Sequence, residues 1–186
     1  MNEEAELILL EAEEKMDKTT SVLKEELMQV RTGRAHPGLL EHVRVDYYGE
    51  PTALNKLANV SAPEARMLVV QPFDPSTSTM IMDAIRVSDL GFNPQSADGR
   101  LIRVPIPDLS QERRRDLTKL VKKLGEEAKI AVRNVRRESN DALKAIDGIS
   151  EDDVKRLLES VQKLTDTHVA TIDTHVAAKE KDLMTV

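Results

Sequence analysis

The stretch Ser110-QERRRDLTKLVKKLGEEAKIAVRNVRRESNDALKAID-Gly148 decides the fold. Leu117, Val121, Leu124, Ala128, Ala131, Val135, Ala142 and Ile146 recur at steps of 4, 3, 4, 3, 4, 7 and 4, a heptad seam. Such a seam needs a long helix packed against other helices. Ser110 is placed to cap it and Gly148 to end it. Working outward, Ser150-Glu-Asp-Asp153 has the form of a capping box. It opens a further helix with Val154, Leu157, Val161, Leu164, His168 and Ile172 on its inner face. At the other end of the chain, residues 4–30 lack Gly and Pro, and Leu9, Ala12, Met16, Leu23, Leu27 and Val30 fall at helical spacing. None of the three apolar stripes is wide enough to stand alone, so the three helices are expected to form one bundle.

The middle of the chain has a different period. His42-Val-Arg-Val-Asp-Tyr-Tyr48 alternates, Met67-Leu-Val-Val70 is a compact apolar run, and Leu101-Ile-Arg-Val104 follows the Asp98-Gly99 turn. These read as strands. Ser76 to Val87, with Met80, Ile81, Ala84, Ile85 and Val87 on one side, reads as a short helix. The expected fold class is therefore α+β: a three-helix bundle from residues 1–31 and 106–186, with a small β/α/β domain inserted at 32–105. Arg31-Thr32-Gly33-Arg34 on one connection, and Pro105 with Pro107 on the other, read as a hinge.

Composition removes several function classes. The 186 residues contain no Cys, which excludes disulfides, thiolate metal sites and a thiol nucleophile. Aromatics are only 2%, so a stacked-aromatic ligand cage is not expected. Neither GxxxxGK[ST] nor GxGxxG occurs. His36, His42, His168 and His175 are scattered, and the last two, seven apart, lack the spacing of a helical zinc pair, so they read as core or boundary residues. Asp74 and Asp98 sit beside Pro75 and Gly99, where turn formation explains them. Tyr47-Tyr48 reads as one inward and one outward strand residue. No enzyme, metal or cofactor is expected. The acidic start and the lack of a long apolar run point away from a targeting or membrane segment and towards the cytoplasm.

Charge is unevenly distributed. Between Arg100 and Arg137 there are 12 Lys or Arg against five acids, a net +7 in a chain of net −6. Arg115, Lys119, Lys122, Lys129, Arg133 and Arg136, with Arg137 beside them, follow one outward stripe of the central helix. Cations spaced along a rigid helix match backbone phosphates. With almost no aromatics nearby to stack bases, the expected contact is with phosphate and ribose of a folded RNA, read by shape.

Five motifs then converge. Arg31-Thr-Gly-Arg-Ala-His-Pro37, Tyr47-Tyr-Gly49, Ser88-Asp-Leu-Gly-Phe-Asn-Pro94, Ile102-Arg-Val-Pro105 with Glu112-Arg-Arg-Arg115, and Val132-Arg-Asn-Val-Arg-Arg137 together resemble the ribosome recycling factor family over nearly the whole chain. The resemblance implies an L-shaped, tRNA-like outline and a bacterial translation factor. Such a factor binds the large ribosomal subunit and, with elongation factor G and GTP, splits the post-termination complex. It further implies RNA contacts at Arg133 and Arg136, domain-junction roles for Arg31 and Arg34, and no catalytic residue. A monomer is expected. Ala53 stands where the family commonly has Pro, and His36 where a smaller polar residue is frequent. A factor that holds ribosomes inactive would need the same basic face, whereas a coiled-coil adaptor would bind its partner insensitively to salt.

Overall fold

The computed structural model describes residues 2–185. The chain divides into two compact units, Met1–Val30 with Glu112–Val186, and Arg31–Gln111.

The first unit holds the three long helices: α1 (Glu3–Gln29), α4 (Gln111–Lys144) and α5 (Glu151–Met184). Asn2 caps α1, its side chain accepting from the Glu4 and Ala5 amides, and Ser150 caps α5 by accepting from the Asp153 amide at 3.1 Å. Ala5, Ala12, Met16, Leu23 and Leu27 of α1 are buried, as are Leu157, Val161, His168 and Ile172 of α5. α1 lies closest to α5. Along α4 the expected seam is displaced. Leu117, Val121 and Ala128 are buried, but Leu124, Ala131 and Val135 are half-buried and Ala142 is exposed, while Gly125, Val132, Ser139 and Leu143 take the interior. A strict heptad drifts by about 20° per repeat on a straight helix, so the inward position moves towards later residues along the chain. Leu124, Ala131 and Val135 instead line a groove shared with Val22 and Leu23 of α1.

The second unit begins with a single 3₁₀ turn, Pro37–Leu40, whose cap is His36: the Nδ1 accepts from the Gly38 amide at 2.9 Å. This gives His36 a local turn role. β1 (Arg44–Tyr47) and β2 (Glu50–Ala53) form a hairpin closed by Tyr48 and Gly49, both at positive φ (50° and 90°). Two-residue hairpins of the primed type need that conformation. The short α2 (Leu54–Leu57) follows, then β3 (Ala58–Glu64), β4 (Met67–Pro72), α3 (Ser78–Val87), β5 (Gln95–Ala97) and β6 (Leu101–Pro105). The four later strands make an antiparallel sheet in the order β3-β4-β6-β5. Leu68 and Val70 of β4 with Ile102 and Val104 of β6 point into a core completed by Val45, Ile81, Ile85 and Phe92.

Two features of this unit differ from the sequence reading. β2 and β3 are not among the strands read from the sequence. Both carry a proline, β2 pairs with only one strand, and β3 buries only Ala58, so neither shows an alternating apolar pattern. The second boundary also moves. Ile106 is 4% exposed within the small unit's core, and its amide donates to the Arg66 carbonyl at 2.8 Å. Arg66 and Asp108 are ion-paired at 2.5 Å. Residues 106–111 are thereby tied to the inserted unit, and Pro105 and Pro107 lie inside it, ahead of the crossing at Gln111.

Candidate nucleic-acid interface

α4 presents the basic stripe on the flank next to α5. The two helices run antiparallel, in a register fixed by Gly125 against Val176, Lys129 against Asp173 and Arg136 against Gln162. Gly125 permits the approach, since a Cβ there would stand 2.6 Å from a Val176 methyl. At 100° per residue, Arg115 and Arg133 project in the same direction, 18 positions or about 27 Å apart along the axis.

Arg115, Lys119, Lys122 and Arg137 are exposed, and Arg133 and Arg136 are half-buried at the α5 margin. Among the described residues none of these six is ion-paired, so their charges face outward uncompensated. Arg136 meets only the neutral Gln162 Oε1, at 3.5 Å. Lys129 is different. Its side chain is 17% exposed, its Nζ is paired with Asp173 of α5, and Glu126 lies 3.4 Å away. The hydrogen bond to Asp173 holds its ammonium above the ordinary 10.5, against the opposing effect of burial. Arg114, inside the same basic run, donates to the carbonyls of Leu183 (3.0 Å) and Thr185 (3.4 Å) and so satisfies the C-terminal end of α5.

At the junction residues, Gly33 is buried with φ +82° and packs on Leu109, a Cβ there falling 3.6 Å from Leu109 Cγ. Arg31 lays its guanidinium 4.9 Å above the Phe92 ring. Thr32 is half-buried and Arg34 exposed. The histidines do not converge. His168 sits between helices, with Nε2 2.7 Å from Asp17 of α1 and Nδ1 2.7 Å from the Leu164 carbonyl; His175 is half-buried and His42 exposed. Asp74 accepts from the Ser76 amide at 3.0 Å, which lowers its pKa below 3.8, and Asp98 occupies a turn at φ +52°. Tyr48 is 74% exposed and meets Tyr47 edge-on at 4.6 Å between ring centres. Among the described residues no group of three or more His, Asp or Glu is placed to hold a metal. No helix is long and apolar enough to cross a membrane.

The acidic partners on the stripe were not found from the sequence, although a signal existed. Antiparallel pairing of the two helices across the Gly148 turn brings the 173 region opposite position 129.

Comparison with known proteins agrees with this architecture. The Ribosome recycling factor family model matches residues 23–184. The ribosome-recycling factor of Halalkalibacterium halodurans is 54% identical over 182 residues, spanning 96% of this chain and 98% of the relative. That of Bordetella pertussis is 53% identical over 178, spanning 94% and 95%. A solution structure of the ribosome recycling factor superposes with TM-score 0.81 at 42% identity, covering 100% of both chains. A second solved structure matches with TM-score 0.66 at 40% identity, covering 97% and 99%. It describes the T. thermophilus ribosome recycling factor and the E. coli elongation factor G bound to the E. coli post-termination complex. Fold and relatives together define a protein-biosynthesis factor built on a helical bundle interrupted by a small sheet unit. The chain belongs to the ribosome recycling factor family.

Proposed function

We propose that this chain, with elongation factor G and GTP, splits the post-termination ribosome into subunits, docking on ribosomal RNA of the large subunit through Arg115, Lys119, Lys122, Arg133, Arg136 and Arg137. The observation that carries the docking surface is the set of six cations left without ion-pair partners on one flank of α4, in a chain that is otherwise acidic. Partner assignment draws on the solved relative bound with elongation factor G to a post-termination complex. Uncompensated cations on a rigid helix displace counterions from a polyanion without first breaking internal pairs. The acidic remainder confines docking to that flank.

In this reading the bundle is the stiff element, and the inserted unit swings about the two chain crossings, at Val30–Arg31 and Gln111–Glu112. The chemistry belongs to the GTP-hydrolysing partner. The experiment is splitting of post-termination ribosomes followed by light scattering, with the protein, elongation factor G and GTP each omitted in turn. Subunits are expected only with all three. Salt-sensitive binding without splitting would make this a ribosome-holding factor, and absence of binding would reduce the stripe to a solvated face. Arg136→Ala is expected to weaken ribosome binding by about 1–3 kcal/mol, the range of a charge-assisted contact.

A further inference from the structure

The sequence pattern runs the stripe through Lys129 without a break, and the structure breaks it there. Lys129 is drawn against α5 by Asp173 and flanked by Glu126, with little of its side chain left exposed. To reach a phosphate it would have to leave two carboxylates. Lys122 and Arg133, the nearest unpaired cations of the stripe on either side, are 11 positions apart, about 17 Å along the helix; the exposed Lys123 is paired with Glu127. One strand of a DNA duplex advances about 3.4 Å of axis per phosphate, so this gap skips several phosphates in succession.

We infer that Asp173 and Glu126 withhold Lys129 from RNA and so divide the docking face into two clusters, Arg115–Lys119–Lys122 and Arg133–Arg136–Arg137, which select an RNA folded to present two backbone segments at that separation. The inference rests on the RNA-docking reading above and adds a specificity device to it. A folded RNA brings two such segments already ordered, and the second contact then follows at high effective concentration. A flexible single strand must order the nucleotides spanning the gap, and no unpaired cation there compensates that loss of freedom, since Lys123 and Lys129 are both held by carboxylates. Asp173 and Glu126 are thus positioning residues: they exclude the wrong polyanion by leaving a silent interval in the charge pattern.

The test measures the salt dependence of binding to purified large ribosomal subunits and to poly(U), for the full-length protein. Lys122→Gln and Arg133→Gln are each expected to reduce the slope of log K against log salt on subunits by about 0.7–0.9, one phosphate contact. Lys129→Gln is expected to leave it unchanged. Glu126→Gln with Asp173→Asn, which releases Lys129, is expected to steepen the slope on poly(U) by about 0.7 and to narrow the preference for subunits over poly(U) several-fold. Thermal unfolding of each variant accompanies the binding. If Lys129→Gln unfolds the bundle, the carboxylate variant, which keeps the lysine, decides the matter. A slope reduced by Lys129→Gln as much as by Arg133→Gln would overturn the inference while leaving RNA docking intact. So would a carboxylate variant with unchanged preference. If Lys122→Gln and Arg133→Gln also leave the slope unaltered, the docking reading itself falls, and with it this refinement.

Discussion

Gly125 is the position at which α4 and α5 come together, and replacing it by Ala sets two effects against each other. Ala is better than Gly in a helix interior by about 0.8–1.0 kcal/mol. Its Cβ, however, would stand 2.6 Å from Val176 Cγ2, well inside contact distance. Val in a helix has essentially one χ1 rotamer, so that methyl cannot turn away, and the helices must separate or the side chain must strain. Overpacking of this kind costs about 1–3 kcal/mol. The difference leaves Gly125→Ala destabilising by about 1 kcal/mol. In a Val176→Ala background the obstacle is gone and the same substitution should stabilise by about 1 kcal/mol, a coupling of about 2 kcal/mol, in the range found for residues in contact. Urea unfolding followed by helical circular dichroism, on the four proteins of the cycle, reads this directly. If Gly125→Ala stabilises the chain with Val176 in place, the close approach is not rigid and the register that brings Asp173 to Lys129 is loose.

Ile106→Ala should cost the inserted unit about 2–4 kcal/mol, because the side chain is 4% exposed in its core, and amide exchange should show the loss in β4 and β6 with α5 unaffected. Protection lost equally in α5 would mean that residues 106–111 serve the bundle. His168→Leu removes the ring contact to Asp17 that joins α5 to α1, together with the ring's bond to the Leu164 carbonyl within α5, and should destabilise the bundle by about 1–3 kcal/mol in urea; an unchanged midpoint would show that packing alone holds that layer. Because Lys129 has its pKa raised in the fold, its contribution is full below pH 10.5 and is lost as the pH climbs through the higher folded value. The native protein should therefore lose stability above pH 10.5 more steeply than Lys129→Gln, and parallel curves would contradict the pairing. Asp74 has the opposite sign: its lowered pKa gives a contribution present above pH 3.8 that fades as the pH falls through the folded value, visible as an NMR titration midpoint below 3.8.

The helices were legible because each carries its own punctuation. The first is free of Gly and Pro from Glu4 to Val30, Ser150 and Asp153 announce α5, and the apolar steps of Ala12, Met16, Leu23 and Leu27 match the buried side of α1. β4 and β6 were legible for a similar reason, since both are central strands with inward Leu68, Val70, Ile102 and Val104. Edge elements were not. β3 buries almost nothing, and β5 is three residues long, so pairing geometry defines them more than side-chain pattern does. On the candidate interface, the sequence displayed which residues are basic and which way α4 turns. It did not display which charges are cancelled across helices, because Asp173 lies 44 positions from Lys129 and enters only through tertiary register. Pro105 and Pro107 looked like a boundary by residue type, yet Ile106 between them is anchored in the core, a burial that residue type alone does not reveal.

The way the bundle is threaded has a consequence for its birth on the ribosome. Asp17 and His168, which touch, are 151 residues apart, and the whole inserted unit is synthesised between α1 and α4. The inserted unit is one continuous segment, free to fold as soon as it emerges, whereas both partners of α1 lie in the stretch after it, from Gln111 onward. At about 5–20 residues per second, α1 spends roughly 4–15 s after the inserted unit is finished with its apolar side uncovered. Its dense Glu content, including Glu11, Glu13, Glu14, Glu25 and Glu26, keeps that waiting helix solvated and repels other nascent copies. The acidity of α1 thus protects an order of assembly in which this helix is made before either of its partners and is among the last elements to be packed.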